Sequence, residues 1–278
     1  MRIATWNVNS LKARLGRVEQ WLVEVAPDIV CLQETKLADD AFPTMAFAAL
    51  GYEAVHHGEG RWNGVAILSR SGIDQVVDGF APGIEPDDEA RLLSATCEGV
   101  RVMTVYVPNG RALGHPMYHH KLSWLARLRL HLETLARPDE DVVLCGDFNV
   151  APDDRDVWDP AACHGGTHVS QAERTALAEV ARWGLVDVFR QRHQEHGLFS
   201  WWDYRAGNFH KHLGMRIDLV YASRPLADRL SWVLIDRNAR KGKLPSDHAP
   251  VVAEFAEPDA RGDGSRSGGQ VGAQLGQT

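Results

Sequence analysis

The apolar residues of this chain come in short unbroken runs, and that constrains the fold more than any other feature. Residues 28–33, 65–68, 100–107 and 142–145 are dominated by Val, Ile, Leu, Cys and Met, the pattern of strands buried on both faces. Residues 2–8, 217–221 and 251–255 read as further strands. Helical spacing appears three times. Leu11, Leu15, Val18, Leu22 and Val25 follow the N-cap signal Asn9-Ser10 and meet Pro27. Tyr118, Leu122, Leu125, Leu132 and Leu135 end before Pro138, and residues 172–183 end at Gly184. Strands outnumber helices and lie too close together for uninterrupted βαβ units. The expected architecture is therefore α/β (α+β), with two packed sheets covered by helices, in one domain spanning residues 1–257. From residue 258 onward Gly, Ser, Gln and Asp displace apolar residues, and the tail 258–278 is expected to be disordered.

The strand ends carry the chemistry. The first strand closes on Asn7 and the second on Glu34. The strand at 100–107 carries Tyr106 and is followed by Asn109. Residues 142–145 run into Asp147 and Asn149, Ile217 is followed by Asp218, and Ser246-Asp247-His248 opens the last strand. One polar residue at a strand end is ordinarily a turn or cap residue, but six such ends point to a scaffold presenting functional groups at one edge. Carboxylate and amide oxygens without a Cys or His cluster form a hard donor set, suited to Mg²⁺ or Mn²⁺ rather than Zn²⁺. Mg²⁺ bound by few carboxylates uses substrate phosphate oxygens as further ligands, so a phosphate ester is the expected substrate class. There is no GxxxxGK[ST] run and no GxSxG elbow, which argues against an ATPase and a serine esterase.

A net charge of −7 argues at first against a nucleic-acid partner. The distribution says otherwise, because a protein acidic overall can present a basic face. Residues 110–132 hold Arg111, Lys121, Arg127 and Arg129 and no acid; residues 204–217 hold Arg205, Lys211 and Arg216; residues 237–246 hold Arg237, Arg240, Lys241 and Lys243. The plain alternative for such runs is a solvated loop. No 18-residue apolar stretch is present and the first residues lack a signal-peptide pattern, so no membrane partner and a cytoplasmic location are expected. The cysteines Cys31, Cys97, Cys145 and Cys163 show no CxxC spacing and read as unpaired thiols in a reducing compartment.

Taken in order, the segments WNVNSLKAR from Trp6, LQETK from Leu32, WNGVAILS from Trp62, YVPNG from Tyr106 and GDFNVAP from Gly146 form a recognisable set. It continues with WGLVDVFR from Trp183, FSWWDYR from Phe199, RIDLVYAS from Arg216 and SDHAPV from Ser246. The chain resembles the endonuclease/exonuclease/phosphatase superfamily, and within it the exonuclease III type of apurinic/apyrimidinic endonuclease, over residues 1 to about 256. The resemblance implies a DNase I-like four-layered α/β sandwich with the site at one edge of its sheets. It implies Glu34 as principal Mg²⁺ ligand, with Asn7 and Asp247 near the metal. Asp147 and Asn149 are implied to position the attacking water and a phosphate oxygen and, with His248, to lie within reach of the metal. Asp218 and His248 match the family's Asp–His pair, and Tyr106 its phosphate-contacting tyrosine.

The same resemblance implies a monomer acting on double-stranded DNA with abasic sites or blocked 3′ ends. Expected DNA contacts are Asn109, Arg111, Arg205, Arg216, Lys241 and Lys243. Trp201, Met215 and Ile217 resemble the apolar pocket for a flipped-out abasic sugar, while Trp202 reads equally well as core packing. Met215 stands where Trp or Leu is expected. The polar loop 152–170 resembles a DNA-contacting insertion. The competing reading within the superfamily is a small-molecule or lipid phosphodiesterase, and a non-catalytic DNA-binding module is the third.

Overall fold

The computed structural model describes residues 1–257; the expected disordered tail lies outside the described residues. Twelve strands are present among the described residues: β1 (Arg2–Asn7), β2 (Ile29–Gln33), β3 (Glu53–His57), β4 (Val65–Ser69), β5 (Asp74–Asp78), β6 (Leu92–Cys97), β7 (Val100–Tyr106), β8 (Val142–Asp147), β9 (Leu185–Asp187), β10 (Asp218–Ser223), β11 (Leu230–Ile235) and β12 (Val251–Phe255). They form two six-stranded sheets in the orders β11-β12-β1-β2-β4-β3 and β5-β6-β7-β8-β10-β9. Each sheet is antiparallel except for one central parallel pair, β1 with β2 and β7 with β8.

The unbroken apolar runs follow directly from this layering. Ile3, Cys31, Ile67, Val102, Val143, Cys145 and Val220 point into the slab between the sheets. Their neighbours Ala4, Val30, Leu32 and Ala66 point the other way, onto Trp21, Leu22 and Val18 of the helix Leu11–Val25. On the second sheet Met103, Leu144 and Leu219 likewise face Trp124, Leu125 and Leu128 of the helix Pro116–Leu135. Central strands are thus covered on both faces, giving four layers, helix–sheet–sheet–helix.

β3, β5, β6, β9 and β11 are absent from the sequence reading. β5 is largely solvent-exposed at a sheet edge, β11 buries only Leu230 and Val233 and β9 has only three residues, so these three offer no buried run to detect. The apolar run of the buried β6 is interrupted by Ser94 and Thr96. Ser10 was expected to cap the first helix with its side chain; it sits at φ +85 and makes no such bond. The helix start is held instead through the backbone, Ser10 N to Glu34 O at 2.7 Å and Leu11 N to Thr35 O at 3.0 Å. Two glycines are required by this packing. A Cβ on Gly146 (φ +145) would lie 2.0 Å from the Val105 carbonyl oxygen, and one on Gly64 (φ +91) 2.1 Å from Thr35 Oγ1. They stand beside Asp147 and the Glu34 turn respectively.

Candidate active site

Strand register assembles the site. β7, β8 and β10 pair Tyr106 with Asp147 and Asp147 with Asp218, setting three polar side chains in one row across the second sheet. In the first sheet Asn7 pairs with Gln33, and the chain then turns at Glu34. The two sheets pack so that these edges meet. Asn7 Nδ2 donates to Glu34 Oε1 at 2.8 Å and to Asp147 Oδ2 at 2.9 Å. Glu34 and Asn149 both adopt left-handed backbone, at φ +50 each, as do Asn9 and Lys36 nearby. Non-glycine residues hold this conformation only where surrounding bonds impose it. Thr35 N to Gly64 O and Lys36 N to Asn63 O impose it after Glu34. Asn149 N to Asp147 Oδ1, at 2.9 Å, does so after β8.

His248 Nδ1 lies 2.9 and 3.1 Å from the Asp218 oxygens, and its Nε2 faces Asp147 Oδ2 at 3.8 Å. Ser200 Oγ accepts from the Asp218 amide and Ser246 Oγ accepts from the His248 amide. Burial pushes Asp147 up to about 7, with Asp218 and Glu34 adding to the shift and His248 opposing it. Burial would lower His248, but Asp218 and then Asp147 outweigh it and raise the imidazole to about 10. At neutral pH this is an imidazolium. Burial, then the Glu34 charge, holds Tyr106 well above its usual range, so it is a neutral hydroxyl donor.

Glu34, Asp147 and His248 offer ligand atoms all within 4.8 Å of one another. Within this trio the Glu34 and Asp147 carboxylates, bridged by Asn7, are a pair of hard oxygen donors that a divalent cation such as Mg²⁺ fits. Asp247, expected near the metal, stands outside this trio. Its oxygens accept from Asn9 Nδ2 at 2.9 Å and Trp201 Nε1 at 3.1 Å. Lys36, not singled out from sequence, pairs with Glu34 Oε2 at 2.9 Å and donates to Asn9 Oδ1.

The remaining expectations divide. Trp201, Met215 and Ile217 do pack together, around Ala151 and Val157. Trp202 is fully buried core. His168, which nothing in its polar loop distinguished, sets its ring 6.5 Å from that of Trp201 and its Nδ1 against the Asn149 carbonyl oxygen. Asn109 is brought to the site, donating to Asn149 Oδ1 at 3.3 Å. Arg111, Arg205, Lys241 and Lys243 are exposed, with Arg205 paired to Asp203.

Arg216 corrects the expectation of a DNA contact. It is 1% exposed, bonded through Nε to Asp156 Oδ1 at 2.6 Å and through Nη2 to Asp187 Oδ2 at 2.8 Å. Arg190 joins Asp156 as well. Lys121 is also fully buried and Arg240 is buried, so two further members of the basic runs face inward, and Arg127 is occupied by the carbonyls of Glu85 and Pro86. Burial opposes ionisation of Asp156, yet Arg216 and Arg190 hold its carboxyl below the usual 3.8. A depressed pKa contributes stability that is fully present above 3.8 and lost as pH falls through the lowered value. Asp156→Asn leaves Arg216 under-paired and is expected to cost about 3 kcal/mol at pH 7, with a smaller penalty at pH 3. Urea unfolding at the two pH values measures both.

Carboxylates, amide and hydroxyl donors and an imidazolium converging on one edge of a two-sheet sandwich define a hydrolase of phosphate esters. Comparison with known proteins makes this specific. Residues 4–248 match the Endonuclease/Exonuclease/phosphatase family. Exodeoxyribonuclease III of Haemophilus influenzae is 32% identical over 270 residues, covering 92% of this chain and all of that one. An AP endonuclease structure from Archaeoglobus fulgidus superposes with a TM-score of 0.89 at 39% identity, over 92% of this chain and 99% of that one. The 3′ phosphatase NExo from Neisseria, bound to a product DNA hairpin, gives 0.89 at 42% identity, over 92% and 100%. The chain belongs to the Endonuclease/Exonuclease/phosphatase family and, within it, groups with the exodeoxyribonuclease III type of DNA repair nuclease.

Proposed function

We propose that this nuclease hydrolyses phosphodiester bonds of double-stranded DNA with Mg²⁺, or Mn²⁺ in its place, incising 5′ to abasic sites, trimming 3′ ends and removing 3′-phosphates. The observation that carries the reading is the register row Tyr106–Asp147–Asp218, with Asn7 bridging Glu34 to its centre. Glu34, with Asp147 beside it, would hold the cation, which would supply Lewis-acid stabilisation of phosphate charge. His248, protonated on both nitrogens, stands beside it as a donor and not as a ligand.

The chain's own groups account for the rest. Asp147, held by Asn7 Nδ2 and the Asn149 backbone N–H, accepts the proton of the attacking water. The second N–H of Asn149 Nδ2 (the first is given to Val107 O), Tyr106 Oη and the His248 Nε2–H are the donors available to the phosphate oxygens as negative charge builds, each worth about 2–4 kcal/mol when preorganised. Both N–H groups of Asn7 Nδ2 are spent holding Glu34 and Asp147 in place. Asp218 orients the imidazolium and keeps its charge. Trp201, Met215 and Ile217 pack as one apolar cluster, against which a base-free sugar would sit, with the His168 ring 6.5 Å from that of Trp201. Arg111, Lys241 and Lys243 are the exposed cations that would meet the DNA backbone.

The proposed acting form is a monomer. The cysteines are free and Cys31, Cys97 and Cys145 are buried, which suits the reducing cytoplasm. Among the described residues no helix is long and apolar enough to cross a membrane.

The test is a labelled duplex bearing one abasic site, and a second ending in a 3′-phosphate, each incubated with Mg²⁺ or with chelator. Cleavage 5′ to the lesion and phosphate release, both lost in chelator, are expected. Turnover of an inositol phosphate without cleavage of either duplex would replace this reading with the small-molecule one.

A further inference from the structure

The helix Pro116–Leu135 carries a lysine on its inward face. Tyr118, Lys121, Leu125 and Leu128 all lie on that side, and Lys121 has no exposed surface. Its Nζ donates to Asn149 O at 2.6 Å, to Glu173 Oε1 at 2.5 Å and to Asn109 O at 3.3 Å, using all three of its N–H groups. Glu173 is equally buried. Its Oε1 also accepts from Thr167 Oγ1 at 2.9 Å and His168 N at 3.0 Å, and its Oε2 from Ser170 N at 3.1 Å and Ser170 Oγ at 2.6 Å.

A buried ion pair is costly to desolvate, and an apolar pair of similar volume is often as stable. What this pair holds is therefore informative. The Asn149 carbonyl receives Lys121 Nζ and His168 Nδ1, while the Asn149 amide is held by Asp147. Both peptides flanking the left-handed Asn149 are thereby fixed, and so is the direction of the side chain between them. Asn109, which donates to Asn149 Oδ1, gives its own carbonyl to the same ammonium.

We propose that the Lys121–Glu173 ion pair is a positioning element for Asn149, locking the turn after β8 and tying the end of the 152–170 loop to the active edge. The proposal rests on the nuclease reading, and its test separates the two. Wild-type protein that leaves every duplex intact removes that reading; wild-type cleavage with undiminished turnover in the lysine variant removes only this inference.

The experiment measures kcat and KM on 3′-recessed duplex DNA with Mg²⁺ for the wild type, Lys121→Met, Asn149→Ala and the double variant. Lys121→Met is expected to lower kcat by about 50-fold with KM changed less than about threefold. The double variant is expected to fall within about twofold of Asn149→Ala, because the lysine acts through the asparagine. Losses that multiply, or a folded Lys121→Met with wild-type kcat, overturn the proposal. Lys121→Met leaves Glu173 charged and unpaired, which destabilises the fold, so Lys121→Met/Glu173→Met is measured alongside. That variant removes both charges. A folded protein with the same kcat loss is expected, and wild-type kcat there is equally fatal.

Discussion

Glu34→Gln is expected to lower turnover of duplex DNA by about three orders of magnitude while the melting temperature stays within a few degrees of wild type. The amide is isosteric and Oε1 can still accept from Asn7, so packing across the sheet edges is retained. What disappears is a full negative charge from a site whose donor atoms sit within 4.8 Å of one another. Losing one of two carboxylates weakens the hold on a divalent cation, and a thousandfold rate loss corresponds to about 4 kcal/mol of transition-state stabilisation. The stability term is small by comparison. Glu34 is partly exposed and its ion pair with Lys36 reaches solvent, the kind of pair worth at most about 1 kcal/mol. Calorimetric titration with Mg²⁺ should show at least about tenfold weaker binding in the variant. A variant that binds Mg²⁺ as wild type does and still cuts within tenfold of its rate would remove Glu34 from the centre of the site.

The distribution of what could be read from the chain has a physical reason. Strands covered on both faces leave continuous apolar runs, so β1, β2, β4, β7, β8 and β12 were visible, and the polar residues at their ends stood out against them. Register then did what sequence cannot. Asp147 and Asp218 lie 71 positions apart, yet β8 and β10 set them side by side. Edge strands such as β5 bury almost nothing, and no periodicity announces them. The charge runs misled for the same reason in reverse. Sequence reports the sign of Lys121 and Arg216 but not their burial, and both proved to be interior cations with carboxylate partners far along the chain. Ser10 failed as a side-chain cap because the helix start is bonded to the Glu34 turn instead. His168 carried no signal at all, a lone histidine in a polar loop, although the fold brings it to Asn149 and Trp201.

His248→Asn should cost about 10²- to 10³-fold in kcat with little change in KM, the penalty for removing one preorganised donor to a developing oxyanion. The imidazole is held through Nδ1. Asp218 takes Nδ1 at 2.9 Å, and Nε2 points past Asp147 Oδ2 at 3.8 Å, toward the space shared with Glu34. A ring pinned this way has one free N–H, aimed where charge develops. Asp218→Asn keeps a side chain of the same size beside the ring but withdraws the charge that favours the imidazolium, so it should lose a comparable amount. Because both residues act through a single proton donor, their effects should not multiply. The Asp218→Asn/His248→Asn double variant is expected within about threefold of the slower single variant. Independent losses, with the double variant slower by the product of the two, would show that Asp218 contacts the reaction on its own account. A His248→Asn protein at wild-type rate would transfer the donor role to Asn149 and Tyr106 alone. Single-turnover measurements on the abasic duplex keep product release out of the comparison, so the rates report the chemical step that the pair is built to serve.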